Sequence, residues 1–359
     1  MKKIYYITAV FATLFLVGCG DGIDLPGVNV ETDLNKIPLP DNNVNLEQVE
    51  LKPSTEPMLH EGLHTEEDFQ RIRDKKAAGE EPWVSAYQLL VESQFSQKTA
   101  DTYPTEWIKR GVSGDENYMN AARGATIAYQ QALRWKIEQD DEYAAKAVEN
   151  LNKWVQTCVG VTGNTNLSLA AGLYGYEFAI AGELLRDYEG WDRADFAAFQ
   201  NWLLKVFYPA NDDFLKRHHD TNALHYWANW CLCNIAAKMA IGIVTDRRDI
   251  YNEGIDHLQT GDTNGRLRRA IYHDYAPDYN FAQWQESGRD QGHTLMCVGL
   301  MGVICQLAWS QGDDFFAYDD NLFMRACEYA ACCNYTNETV PYTTYIWQKQ
   351  SQWGYPIPE

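Results

Sequence analysis

The chain has 359 residues, of which 45% are hydrophobic and 13% aromatic, and its formal net charge is -20 at pH 7. This length and apolar content allow one large domain or two ordinary ones, and they exclude an intrinsically disordered protein. The acidic balance argues against a general binder of nucleic acid or of anionic membranes, because such proteins present a basic surface. The twelve Trp and twenty-two Tyr partly reflect packing, but amphipathic aromatic side chains also line sites that bind sugars.

The amino terminus has the layout of an exported protein. Two lysines follow the first residue, and residues 4–17 form an apolar run that is too short for a transmembrane helix with ordinary flanks. The run ends in Leu-Val-Gly-Cys at residues 16–19, which resembles a bacterial lipobox. The resemblance implies that residues 1–19 are a lipoprotein signal peptide and that Cys19 anchors the protein in the outer membrane, facing the periplasm or the cell surface. An ordinary signal peptide with a chance cysteine is the alternative.

A polar segment separates this leader from the predicted domain. Residues 20–58 carry several Pro and Asn and show no sustained period, which predicts a flexible tether. We expect the folded domain to span residues 59–359. Its first helix should begin at residues 65–68, where a Thr is followed by acidic residues, and a second helix is predicted from residue 83 to about residue 97.

Eight cysteines follow Cys19. Cys231 and Cys233 lie two apart on a predicted helix and so face different sides, while the neighbours Cys332 and Cys333 cannot easily bond each other. The others, which are Cys158, Cys297, Cys305 and Cys327, also lie in apolar helical segments. We therefore predict buried thiols and no metal site, although export would permit disulfides, and we expect no cofactor.

Most of the chain is a repeat of helix pairs, spaced about fifty residues apart. In each pair the first helix is rich in Ala, Gly and aromatic residues, and the second has a clear polar face. The predicted pairs are 117–138 with 142–158, 167–188 with 193–207, 222–244 with 247–258, and 289–311 with 316–334. This pattern predicts an all-α fold with an inner and an outer layer, either an incomplete or closed (α/α)6 or (α/α)7 toroid or, alternatively, an α-solenoid. About five hairpins can be counted, so a ring of six or seven needs further elements.

The long segment 259–285 interrupts the repeat. It contains two glycines, a proline and several tyrosines, among them Tyr275 and Tyr279. Connections of this length are usually functional.

Two polar blocks stand at the starts of predicted inner helices. In a helix, Asn222, His225 and Asn229 would share one face, and Arg289 would lie one turn from His293. If the inner helices run in the same direction, their amino termini converge at one mouth and favour an anionic ligand there. Local basic clusters at residues 216–219 and 266–269 are either part of such a site or ordinary surface charge. A core role for His225 and a helix N-cap role for Asn222 are the structural alternatives.

Four blocks of residues resemble the alginate lyase superfamily of polysaccharide lyases. They are Asn222 to Trp230, Glu286 to Thr294, Leu169 to Tyr176 and Ala308 to Gly312. The resemblance covers most of the chain after His60, and the block Glu-Ser-Gly-Arg-Asp-Gln-Gly-His is most similar to lyase family 38. It implies an α/α toroid that cleaves 4-linked uronic acid polymers, alginate above all and glucuronan as a second possibility, by β-elimination.

The resemblance also implies roles for individual residues. Asn222 and Arg289 would stabilise the substrate carboxylate, and His225 or His293 would remove the C5 proton. In better-known relatives the Asn is directly followed by His, and a Tyr occupies the place nearest to His293, so the proton donor is left open among Tyr174, Tyr275 and Tyr279. The candidates for catalysis are thus Asn222, His225, Arg289 and His293, and those for substrate binding are Arg110, Tyr174, Tyr226, Tyr275, Tyr279, Gln285 and Glu286.

Two other classes of protein would share these features. A glycan-binding lipoprotein without catalysis would also be helical, aromatic-rich and anchored. A toroid glycoside hydrolase would need two carboxylates, for which Glu286 and Asp290 are the candidates. In all three classes the expected partner is a polysaccharide, the membrane is contacted only through the anchor, and nucleic acid is not bound.

Overall fold

The computed structural model describes residues 54–335 and 340–343. Twelve helices lie in these ranges: α1 Glu66–Ala77, α2 Trp83–Glu92, α3 Tyr118–Glu138, α4 Asp141–Thr157, α5 Leu167–Leu184, α6 Arg193–Val206, α7 Tyr208–Arg217, α8 Ala228–Val244, α9 Arg248–Thr260, α10 Leu267–Ala270, α11 Gln291–Ser310 and α12 Tyr318–Tyr335. Four short strands accompany them: β1 Trp107–Arg110, β2 Gly160–Gly163, β3 Ile271–Asp274 and β4 Ala282–Trp284. The predicted leader and lipidation site, Cys19, lie outside the described residues.

The helix pairs form the two predicted layers. Helices α3, α5, α8 and α11 pack side by side as the inner layer, and α4, α9 and α12 lie against the inner helices that precede them. Nearly every side chain of α5 and α8 is buried, whereas α4 and α9 bury one face only. The all-α prediction is therefore confirmed for the described chain, with two small additions: β1 pairs with β2 in parallel, and β3 with β4 antiparallel. Neither these strands nor α7 was predicted.

The amino-terminal turns of the inner helices lie next to one another. Tyr118 at the start of α3 stacks on Tyr174 of α5, with ring centroids 6.5 Å apart. The side-chain amide of Asn234 in α8 donates to the Ser168 carbonyl at the start of α5 at 3.2 Å. At the opposite ends of the same two helices, Arg186 donates to the carbonyl of Val244 at 3.0 Å, so α5 and α8 run in the same direction. The expected common direction of the inner helices is confirmed for α5 and α8.

The segment before α1 crosses the opposite end of the inner layer. Met58 is buried in the core, and the Gln311 side chain after α11 donates to the Leu59 carbonyl at 3.0 Å. His60 contacts Asp246, just after α8, at 2.9 Å. The end of the predicted tether and the start of the domain therefore close the carboxyl ends of the inner helices. The predicted first helix is confirmed, because its N-cap Thr forms a capping box.

The eight described cysteines form no disulfides with one another, and seven of them are buried. In residues 54–335 and 340–343, no group of three or more His, Cys, Asp or Glu side chains could hold a metal ion. Helix α11 is long and apolar enough to cross a membrane, but most of it is buried inside the protein, as in the core helix of a soluble domain.

A buried histidine should make the stability of the fold sensitive to acid. His218 is 2% exposed and stacks on Phe214, and burial lowers its pKa from 6.5 to about 4. The His218 imidazole binds a proton more tightly in the unfolded chain than in the folded one. The stability that neutral His218 contributes is therefore complete above the pKa of the unfolded state, and it is lost as the pH falls towards the pKa of the folded state. From pH 7 to pH 5, we expect the free energy of unfolding of His218→Gln to fall by about 2 kcal/mol less than that of the wild type. Denaturant titrations measure this, and parallel pH profiles would contradict it.

Candidate active site

Two side chains from a distant part of the sequence cap the amino terminus of α8. Gln285 accepts a hydrogen bond from the backbone N–H of Ala228 at 2.9 Å, and Glu286 accepts from the backbone N–H of Asn229 at 3.0 Å and from its side-chain amide at 2.5 Å. Neither Gln285 nor Glu286 has any exposed surface. This corrects the prediction that both contact sugar hydroxyls: they cap the amino terminus of α8 and fix it against the segment that precedes α11.

Arg289 lies between a 3-10 turn at Gln285–Gly288 and the start of α11. Its Nη1 donates to Glu286 Oε2 at 3.2 Å, and its guanidinium lies 5.1 Å from the centre of the Trp227 ring. The side chain is 24% exposed, so the Arg289 guanidinium remains accessible although Glu286 binds it on one side. The predicted helix over 289–311 is therefore wrong at its start, and Arg289 does not share a helical face with His293.

Asp290 is the N-cap of α11 and holds His293 in two ways. Its Oδ1 accepts from the His293 backbone N–H at 2.8 Å, and its Oδ2 lies 2.6 Å from His293 Nδ1. Burial raises the pKa of Asp290, but the hydrogen bonds and charge of His293 outweigh it and keep that pKa below its usual range. An ionised carboxylate on Nδ1 fixes the orientation of the imidazole and leaves proton transfer to Nε2. The sequence indicated His293 but not this partner.

The predicted helix 222–244 also begins later than expected, at Ala228. Asn222 accepts from the backbone N–H of Leu224 at 2.9 Å, which forms a turn in place of the predicted helical face or N-cap. His225 is in this loop and meets the Tyr226 ring edge-on at 4.9 Å. Burial lowers the pKa of His225, so its imidazole is neutral at pH 7 and able to accept a proton. Asn229 faces Glu286 instead of His225.

A cluster of His219, Tyr226 and Trp230 lies on the α5 side of this loop. His219 Nε2 lies 3.0 Å from the Ser168 hydroxyl in the first turn of α5. The buried Tyr226 ring is 5.8 Å from His219 and 4.7 Å from Trp230. The sequence marked His219 only as part of a basic cluster, because the turn that brings it to α5 follows the unpredicted helix α7.

Comparison with known proteins identifies the family. The protein-family model for alginate lyase matches residues 72–338, about three quarters of the chain. The chain belongs to the alginate lyase family. It is accordingly a polysaccharide lyase, as predicted. Among curated proteins, no sequence matches it.

Solved alginate lyases share the fold of this family member at low sequence identity. Alginate lyase A1-III from Sphingomonas species A1 is 13% identical over 77% of this chain and 79% of its own, with a TM-score of 0.54. An alginate lyase from Bacteroides ovatus is 15% identical over 74% and 81%, with a TM-score of 0.55. A variant of A1-III in complex with a tetrasaccharide is 14% identical over 74% and 76%, with a TM-score of 0.52. These likenesses confirm the predicted α/α toroid.

Two tyrosines predicted to serve this lyase lie on the β3–β4 hairpin. The Tyr275 hydroxyl is 2.6 Å from Gln283 Oε1 and 3.1 Å from Thr343 Oγ1, and burial raises its pKa to about 12. Tyr275 is therefore engaged in holding the hairpin, which argues against it as proton donor. Tyr279 is half exposed beyond the end of β3. Of the three candidates, Tyr174 alone lies on an inner helix.

The pair of carboxylates that a hydrolase would need is also engaged. Glu286 is fully buried against α8 and pairs with Arg289, while Asp290 holds His293. Glu286 is thus shielded from a glycosidic oxygen, and the lowered pKa of Asp290 makes that residue a poor general acid. The arrangement thus favours a lyase over the hydrolase alternative.

Proposed function

We propose that this polysaccharide lyase cleaves 4-linked uronic acid polymers by β-elimination, with alginate as the first substrate and glucuronan as the second candidate. The observation that supports this most directly is a guanidinium next to a carboxylate-held imidazole. Arg289 immediately precedes Asp290, which pairs with His293 at 2.6 Å, and these residues stand where the inner helices begin. The positive ends of the helix dipoles reinforce Arg289 as a site for a carboxylate.

The proposed reaction begins with neutralisation of the uronate carboxylate. Arg289, together with the amide of Asn222, lowers the cost of the negative charge that develops when the C5 proton leaves. His293 takes this proton through Nε2, while Asp290 stabilises the imidazolium that forms. The neutral imidazole of His225 is the alternative base.

Bond cleavage then follows from the electron pair left at C5. This pair forms the C4–C5 double bond, the C4–O bond breaks, and the leaving oxygen takes a proton. We assign that proton to Tyr174, because it lies on an inner helix near the mouth whereas Tyr275 is tied to the hairpin. The products are a new reducing end and an unsaturated uronate.

The function is tested by incubating the purified protein with alginate, glucuronan and a neutral 4-linked glucan. We expect a rise in the absorbance of unsaturated uronate with at least one uronic acid polymer, and products of matching mass. Saturated products alone would indicate a hydrolase, and an intact but retained polymer would indicate a binding protein. Either outcome would overturn the proposal.

We further propose that the protein is a family 38 lyase that is lipidated at Cys19 and anchored in the outer membrane. The support is the lipobox-like sequence at residues 16–19 and the resemblance of the block that includes Arg289. In a Gram-negative host, Cys19→Ser should abolish labelling by a fatty acid analogue and release the protein from the membrane fraction. Unchanged labelling would contradict the anchor.

A further inference from the structure

The β3–β4 hairpin is fastened to residues 340–343, here called the clamp, by the side chain of Gln283. Its Nε2 donates to the Thr343 carbonyl at 2.9 Å, and its Oε1 accepts from the Thr343 backbone N–H at 2.9 Å. One amide thus pairs with both polar groups of a single backbone residue, as a neighbouring strand would. Gln283 has no exposed surface, so breaking this pair leaves buried polar groups unsatisfied.

A small apolar cluster supports the clamp. Val340 is buried in this cluster with Tyr329 of α12, and Tyr275 and Phe281 of the hairpin pack against them. The Tyr329 hydroxyl donates to the Pro341 carbonyl at 2.9 Å, and its ring stacks on that of Tyr275 with centroids 6.2 Å apart. The cluster is separate from the main hydrophobic core. The hairpin is therefore held jointly by α12 and the clamp.

The hairpin leads directly into the proposed active site. Strand β4 ends at Trp284, and the next two residues are Gln285 and Glu286, which cap α8. Glu286 also binds Arg289. A single residue separates Gln283 from the first of these caps, so a shift of β4 moves both caps and, through Glu286, the arginine.

We propose that the clamp, acting through Gln283, positions Arg289 for catalysis. The proposal rests on the proposed function, in which Arg289 neutralises the substrate carboxylate. Gln283 is a positioning residue, because its side chain is fully buried and cannot touch the substrate. Without the clamp, β4 can shift and Glu286 no longer holds the guanidinium in one place. A displacement of about 1 Å can lower a rate roughly a hundredfold, so a small shift is enough.

The test compares Gln283→Ala with Gln311→Ala. Gln311 is the matched control, because its side-chain amide pairs in the same way with the Leu59 backbone, at 2.9 and 3.0 Å, at the opposite ends of the inner helices. Both variants should lose stability to a similar extent. At a temperature where both are folded, kcat should fall about 10- to 100-fold in Gln283→Ala, more than any rise in KM, and remain at the wild-type value in Gln311→Ala.

A double variant shows whether Gln283 acts through Arg289. Gln283→Ala combined with Arg289→Ala should be no slower than Arg289→Ala alone, because the group that Gln283 positions is already absent. Losses that multiply would overturn the proposal, as would full kcat in folded Gln283→Ala.

If Gln283→Ala does not fold, Tyr329→Phe replaces it. This variant keeps the stacked ring and loses the hydrogen bond to the Pro341 carbonyl. It should lower kcat about fivefold, which corresponds to one hydrogen bond. An unchanged kcat in this variant would contradict the proposal.

Hydrogen exchange tests the clamp without turnover. The backbone amides of Ala228 and Asn229 donate to the two side chains that follow β4, so their exchange reports on the position of that turn. Exchange should be about tenfold faster in Gln283→Ala and unchanged in Gln311→Ala. Equal rates in the wild type and Gln283→Ala would overturn the proposal. Should the wild type form no unsaturated product, the proposed function fails by itself, and this measurement still decides the role of Gln283.

Discussion

Replacing Arg289 with alanine is expected to lower kcat/KM on the preferred uronic acid polymer by about 10²- to 10³-fold, the range found when a donor that stabilises developing negative charge is removed. Arg289 is accessible on one side and anchored on the other by Glu286 and the Trp227 ring. The alanine variant loses the group that neutralises the substrate carboxylate. Arg289→Lys should recover part of the loss, because it restores a charge without the planar donor pair.

The control for this prediction is Arg247→Ala, which removes an exposed arginine that pairs with Asp249. Its kcat/KM should match the wild type. Melting temperatures of all three variants show whether the loss is catalytic or comes from unfolding. A folded Arg289→Ala protein with undiminished turnover would refute the role of this arginine.

Replacing His293 with glutamine is expected to lower kcat by 10² to 10⁴, roughly the contribution of a positioned general base. Asp290→Asn is the sharper variant, because Asn remains a good N-cap for α11 but cannot stabilise an imidazolium. We expect it to melt close to the wild type and to lose about 10- to 100-fold in kcat. Steady-state kinetics with unsaturated product as the readout measure both effects.

His60→Gln is the control, since His60 lies at the far end of the inner helices and is half exposed. If His293→Gln retains full kcat, the neutral His225 becomes the base, and His225→Gln should then show the loss. If neither variant loses activity, proton abstraction by histidine is wrong.

The long helices could be predicted closely from the sequence. The predicted segment 117–138 corresponds to Tyr118–Glu138, and 193–207 corresponds to Arg193–Val206. These segments have a strong apolar period over many turns, so local sequence and tertiary packing favour the same structure. The four strands are only three or four residues long and offer no comparable pattern.

The site could be located in the sequence but not built from it. Arg289 and His293 were found, yet the start of their predicted helix was wrong, because Asp290 is extended and the helix begins only at Gln291. The low helix propensity of the glycines that flank this stretch was a local indication of that break. The start of α8 had no such indication, because the groups that cap it, Gln285 and Glu286, are 57 residues away in the chain.

Glu286 links the docking of two inner helices to the formation of the proposed active site. This single buried carboxylate accepts hydrogen bonds from the start of α8 and forms an ion pair with Arg289. A chain whose last inner helix has not yet docked therefore has no organised arginine, however well its earlier hairpins are folded. Partly folded molecules should be inactive, not slow, and turnover during refolding should report how many molecules have docked α11 against α8.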